Sequence, residues 1–192
     1  GTDALTAVES GTSNTAIGCQ AGANVTTGDF NTLIGYSCGM VLGTAYGLTT
    51  SGYNTAVGYK ALGAASADAI TTLGAHTVIG YEAGTNIQEG STHNTLIGSS
   101  AGSGITTGDG NVCIGYNAGD AFDQEDNNVF IGINAGGGAS STPASCVAIG
   151  ASALLGAHTQ TGTIAIGSSA LIALTSGGGN IAIGYQAMAA AD

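Results

Sequence analysis

The chain has 192 residues, of which 43% are apolar and only 7% charged, with 35 glycines, one proline and no tryptophan. A net charge of −11, with Lys60 the sole base, argues against nucleic acid and anionic membrane surfaces as partners, because both are bound through Lys and Arg. The apolar content is too high for a disordered chain, and no apolar run reaches the ~20 residues of a bilayer span, so membrane insertion is not expected.

One phrase recurs along the chain. It is written NTAIGCQAG at 14–22, NTLIGYSCG at 31–39, NTAVGYKAL at 54–62 and NTLIGSSAG at 94–102, then NVCIGYNAG at 111–119 and NIAIGYQAM at 180–188. Its glycine falls at Gly18, Gly35, Gly58, Gly80, Gly98, Gly115, Gly132, Gly150, Gly167 and Gly184. The base step is 17 residues, with extra residues in two copies, at 40–53 and 63–75. Gly1, 17 residues before Gly18, opens a further copy. A fixed period with insertions confined to one part of the repeat is the signature of a solenoid.

Each copy predicts the same elements in the same order. Asn opens it in seven of ten copies, as turn chemistry requires, and the stacked Asn side chains are placed to form a ladder. A three-residue strand follows. Its last column is Ile17, Ile34, Val57, Ile79, Ile97, Ile114, Ile131, Ile149, Ile166 and Ile183, β-branched throughout. Its first column starts at Thr15 and passes from Thr to Val and Ile in the later copies. These two columns share a face and are expected to fill the coil. Between them stand Ala16, Leu33, Ala56, Val78, Leu96, Cys113, Phe130, Ala148, Ala165 and Ala182. This opposite face is also apolar, so it is expected to be buried against other chains. The glycine then bends the chain, a polar residue meets water, a small residue (Ala in nine copies) fits a tight space, and a second short strand (as in GANVTT) leads to the next corner.

The expected fold is therefore all-β: a parallel β-solenoid of ten to eleven coils of about 17 residues, stacked at ~4.8 Å. With no capping pattern at either end, residues 1–192 are expected to be one solenoid domain within a longer fibrous chain. The doubly apolar strand is expected to make it a homotrimer, with a dimer burying the same strip, or a covering segment elsewhere in the parent chain, as the alternatives.

The phrase N-[ST]-x-[IV]-G-x-x-[AS] resembles the head repeats of trimeric autotransporter adhesins. The fuller wording, TTG-x-x-NTAIGY-x-AL, is similar to repeats of phage tail-fibre-type proteins. The resemblance covers essentially the whole chain. It implies a left-handed roll, three chains about one axis, and a place on a virion tail fibre or a bacterial surface. The implied partner is a cell-surface glycan or protein receptor. Adhesin head repeats are usually shorter, and the wording is nearer to the fibre group.

No enzyme signature is present, and no catalytic residue or cofactor is expected. His76, His93 and His158 fall in different copies. The four cysteines, Cys19, Cys38, Cys113 and Cys146, fit no zinc or redox spacing and read as small apolar side chains. The carboxylates Asp120, Asp123, Glu125 and Asp126 are the candidates for a Ca2+ site, against the plainer reading of a solvated acidic loop. Tyr46, Tyr53, Asp68 and Asp123 lie in the loops where ligand contacts are expected. Tyr36, Tyr59, Tyr81, Tyr116 and Tyr185 share one column and read as a stacking ladder. Two alternatives to attachment are an ice-binding solenoid and, on paired carboxylates, a glycan-cleaving tailspike. The passage of the Thr column into Val and Ile reads as an inward column, which counts against ice.

Overall fold

The repeated phrase folds as the sequence predicts along the backbone. A computed structural model describes residues 1–40, 51–63, 73–138, 144–156 and 161–190. Ten three-residue strands run β1 (Thr15–Ile17), β2 (Thr32–Ile34), β3 (Thr55–Val57), β4 (Thr77–Ile79) and β5 (Thr95–Ile97), then β6 (Val112–Ile114), β7 (Val129–Ile131), β8 (Val147–Ile149), β9 (Ile164–Ile166) and β10 (Ile181–Ile183). They form one parallel sheet in strict chain order. Register never slips: Thr15 pairs with Thr32, Ala16 with Leu33 and Ile17 with Ile34, and the same three columns continue to β10. The chain is a β-solenoid, with no helix among the described residues. Residues 1–8 carry no strand but stack on the turn half of the first repeat, through bonds such as Leu5 N–H to Ala21 O at 3.1 Å.

The faces of the strand are the reverse of the sequence expectation. The middle column, Leu33, Ala56, Val78, Leu96, Cys113, Phe130, Ala148, Ala165 and Ala182, is buried inside the coil of a single chain, with Ala16 of the first strand packed against that core. It therefore cannot be the contact surface between chains. The column expected inside, Ile17, Ile34, Val57, Ile79, Ile97, Ile114, Ile131, Ile149, Ile166 and Ile183, faces outward together with Thr15 and its successors. The reason lies across the coil. The turn after each glycine sends in the small column Ala21, Cys38, Ala61, Ala83, Ala101, Ala118, Ala135, Ala153 and Ala170, all fully buried, and the return segment sends in Val25, Ile87, Ile105, Phe122 and Leu174. Only one face of the strand can meet them. The return segment is held by turns and coil-to-coil bonds, such as Thr106 N–H to Asp123 O at 2.7 Å. It carries no second strand among the described residues.

From the second coil on, the interior is filled by a size exchange within the coil; the first pairs Ala16 with Gly22, and Leu33 and Leu5 of the adjoining coils take the space. Where the strand supplies Ala56, Ala148, Ala165 or Ala182, the position six residues on holds Leu62, Leu154, Leu171 or Met188. Where it supplies Leu33, Val78, Leu96, Cys113 or Phe130, that position is Gly39, Gly84, Gly102, Gly119 or Gly136. The two sites share one volume: a Cβ on Gly102 would lie 2.5 Å from Leu96 Cδ2, and one on Gly136 would lie 2.6 Å from Phe130 Cδ1. Backbone shape is not what selects glycine here. Leu62, Leu154 and Leu171 take the same left-handed conformation (φ 51–52°) as Gly102 (φ 58°). Burying their side chains offsets a left-handed cost of roughly 1–2 kcal/mol.

The corner asparagines form the ladder expected of them. Asn31 N–H donates to Asn14 Oδ1 at 2.9 Å, Asn54 N–H to Asn31 Oδ1 at 3.1 Å, Asn111 N–H to Asn94 Oδ1 at 2.8 Å and Asn128 N–H to Asn111 Oδ1 at 3.0 Å. The side-chain amides of Asn14, Asn94 and Asn111 donate to a backbone carbonyl at the corner of the next coil, as Asn94 Nδ2 does to Gly108 O at 2.7 Å. The left-handed residue at the corner is the one before Asn (Phe30, Tyr53, Ala75, His93), not Asn itself. His76 replaces one Asn without breaking the ladder. Its Nδ1 accepts Asn94 N–H at 3.2 Å, and its Nε2 meets Ser91 O at 3.0 Å. Both contacts are satisfied only by the neutral ring protonated on Nε2. Burial, opposed in part by the Ser91 carbonyl, pushes the His76 pKa down from 6.5 to about 4.

Two predictions follow from the interior. Leu96→Ala alone is expected to cost about 2–5 kcal/mol. Adding Gly102→Leu rebuilds the Ala–Leu arrangement of the third, eighth and ninth coils and should recover about half of that loss or more; chemical denaturation of the single and double variants checks it, and additive losses would refute the shared volume. For His76, the unfolded state takes up a proton near pH 6.5 that the folded state refuses down to about pH 4. Stability therefore falls as pH falls through that window, by on the order of 3 kcal/mol in full. His76→Asn should flatten the stability–pH curve between pH 6.5 and 5, and an unchanged slope would count against the assigned tautomer.

Candidate functional site

The outward face of β1–β10 is a continuous strip along the rod. Strand alternation turns two β-branched columns outward, one per edge of the triplet. They stand about 7 Å apart, and nine inter-strand steps carry them about 43 Å along the rod. The side chains are half-buried only by each other along the columns; at the ends, where one neighbour is missing, Ile17 is 58% exposed and Ile183 is 67% exposed. The strip carries no charged side chain. Thr occupies the first column in the first five strands, then Val and Ile in the last five, so the strip grades from mixed to fully apolar.

Aromatic stacks stand along both edges of the strip. Beyond the glycine, Tyr36, Tyr59 and Tyr81 stack in succession, with centroids 5.5 and 5.2 Å apart and planes within 10° of parallel. This is the ladder expected from their column. Lys60 Nζ lies 5.3 Å from the Tyr59 ring centroid. The charge of the neighbouring Glu82 carboxylate raises the Tyr81 pKa. On the corner side, Phe30 stacks on Tyr53 at 5.1 Å. Tyr53, one of the expected loop contacts, is thus exposed and paired. Tyr46 and Asp68, from the two long insertions, and His158 lie outside the described residues.

The acidic loop is tied into the coil by the chain's own donors. Asp123 accepts the Thr106 hydroxyl, and its own N–H donates to Glu125 Oε2 at 2.5 Å. Asp126 Oδ1 accepts Asp109 N–H at 2.7 Å. Asp120 stands apart: its Oδ1 is buried without a hydrogen-bond partner among the described residues, and burial raises its pKa. The four do not form one ligand set, and no three His, Cys, Asp or Glu side chains come together in that way among the described residues. The same Thr–Asp arrangement recurs in the turns. Asp29 accepts the Thr12 N–H at 2.6 Å and its hydroxyl at 2.8 Å, which holds the Asp29 carboxyl below the usual range. Asp109 accepts the Thr92 N–H at 2.5 Å and its hydroxyl at 3.1 Å. Sequence reasoning missed this pairing, although the spacing of 17 between Thr12 and Asp29 carried it.

The cysteines are free thiols. Cys38 and Cys113 belong to the interior, where burial pushes both thiols up to about 12. Cys38 Sγ lies 3.1 Å from Ala56 O. Their role in this fold is packing, and they offer no thiolate for chemistry near neutral pH.

No protein-family model, curated protein or solved structure matches the chain. What bears on function is the strip, its aromatic edges and the wording of the repeat.

Proposed function

We propose that the chain is the shaft of a homotrimeric attachment fibre, of the phage tail-fibre or bacterial adhesin kind, whose outer β-branched strip packs against the same strip of two sister chains. The carrying observation is the strip itself. An uncharged apolar face about 43 Å long on a chain of such low solubility-giving charge marks an association surface. Its regularity argues for copies of the same chain: every rung offers two β-branched side chains, Thr, Val or Ile beside Ile or Val, at the same strand height, so rung meets rung along the whole rod. Three narrow strips close about a common axis, and the likeness of the repeat to trimeric adhesin heads favours three over two. The trimer presents each turn and loop three times, which raises avidity for a cell-surface receptor without new contacts.

Light scattering on the purified chain is expected to give about three times its 18.3 kDa mass. Ile114→Asp with Ile131→Asp should shift it to monomers that keep their β-sheet signal. Ala148→Asp, which puts the charge inside the coil, should instead unfold the chain. A monomeric wild type, or a double variant of unchanged mass, would overturn the proposal.

A second reading is favoured by one observation. The Thr column of β1–β5, expected to face inward, faces outward beside its Ile and Val column in an array in continuous register. That is the surface an ice-binding solenoid would use, and the two readings compete for the same face. A trimer with its strip covered should give no thermal hysteresis, whereas hysteresis from an 18.3 kDa monomer would carry the ice reading.

A further inference from the structure

The tyrosine ladder has a missing rung. Along the column two residues after the strand, Tyr36, Tyr59 and Tyr81 are followed by Ser99 and then Tyr116. The register is continuous through the gap: Ile79, Ile97 and Ile114 are paired, Ser100 N–H donates to Tyr81 O at 2.9 Å, and Asn117 N–H donates to Ser99 O at 3.1 Å. Tyr81 and Tyr116 are thus two coils apart, about 10 Å. Rings one coil apart in this ladder sit 5.2–5.5 Å centroid to centroid. One further ring fits between Tyr81 and Tyr116 at the ladder's own spacing. Both tyrosines are exposed, at 53% and 54%.

We propose that this slot binds a hexopyranose ring of a glycan. The two aromatic faces are electron-rich and attract polarised C–H groups, which a pyranose chair presents on both of its faces. The polar column beside the slot places Glu82, Ser100 and Asn117 at the three successive heights, all partly exposed, with Ser99 as the floor. A carboxylate, hydroxyls and an amide at the rim of an aromatic slot suit the equatorial hydroxyls of a sugar. They do not suit the bare edge of an aromatic hydrocarbon ring. The rim holds no cation, so an anionic ligand has no counter-charge there; Lys60, the sole base, sits one coil away over Tyr59. The slot gives the attachment reading its ligand class and rests on that reading for its biological use, but it is built within one chain.

The test uses the intact chain and a panel of methyl hexopyranosides at millimolar concentration, read by saturation-transfer NMR. Transfer to the ring C–H protons of at least one sugar is expected. Ser99→Tyr supplies the missing rung with the residue five other coils carry, so it should fold, and it should weaken that binding by about tenfold or more. Tyr116→Ala, which removes one wall, should do the same. Absence of transfer in the wild type, equal transfer in Ser99→Tyr, or preference for indole over every sugar would each overturn the proposal. Light scattering on the same samples separates the outcomes: a trimer that binds no sugar sinks the slot alone, and a monomer that binds sugar sinks the fibre reading alone.

Discussion

The structure depends on how closely one coil can approach the next at the bend after the strand. In nine successive copies, Gly18 to Gly167, an added Cβ would lie 2.2–2.7 Å from the carbonyl oxygen of the glycine one coil further on. The same glycines hold φ between 130° and 148°, a conformation side chains rarely adopt. No other residue satisfies both demands. This close approach keeps the coils at one strand spacing, and one strand spacing is what lets strand triplets, asparagine amides and tyrosine rings repeat as ladders. Lengthened copies leave it intact, because the residues they insert enter away from the bend. The second copy is 23 residues from its neighbour, yet Gly35 meets Gly58 as Gly18 meets Gly35.

Stacking at that spacing leaves a thin interior. It is too narrow for large residues from both walls at one height, and the Ala–Leu and Leu–Gly exchange six residues apart answers that limit. Packing is conserved as a sum over two positions, not at either one. The consequence is that the strand's middle column varies from Ala to Phe, while the outer Ile and Val column hardly varies at all. Variation marks the inside here, because inside a partner can compensate for it. An outer column that must fit the identical face of another chain, or any flat repeating lattice, has no such partner within its own coil.

Much of the fold was legible in the sequence for this reason, and one decision was not. The period, the ten strands, their parallel order and the Asn ladder follow from residues at fixed columns. The sidedness of the strand did not, because both faces are apolar and alternation says only that Ala16 opposes Thr15 and Ile17. β-branched bulk suggested a core, and the apolar face left over on the other side of the strand suggested a contact between chains. The reciprocal pattern of Leu33 with Gly39 and Ala56 with Leu62 was on the page and would have decided it. The candidate site was legible in part. The tyrosine column could be seen, but its gap at Ser99 has meaning only once the register on either side is known to be unbroken.

In a ladder, a departure at one rung acts on the rungs above and below it, so departures can be sorted by whether the neighbours are made whole. His76 is compensated: a ring nitrogen stands where an amide oxygen stood, and the buried N–H of Asn94 keeps its acceptor. Thr163 is not, since its buried Oγ1 has no partner among the described residues, and the chain of amide acceptors that reaches Cys146 N–H from Asn128 goes no further. Ser99 differs from both. It costs the backbone nothing, because Ser100 and Asn117 keep their coil-to-coil bonds. It leaves one face of Tyr81 and one of Tyr116 uncovered, next to a run in which Tyr36, Tyr59 and Tyr81 cover one another. An exposed apolar face that the next rung could have covered, left bare at no gain to the coil, is better explained by a ligand than by the fold.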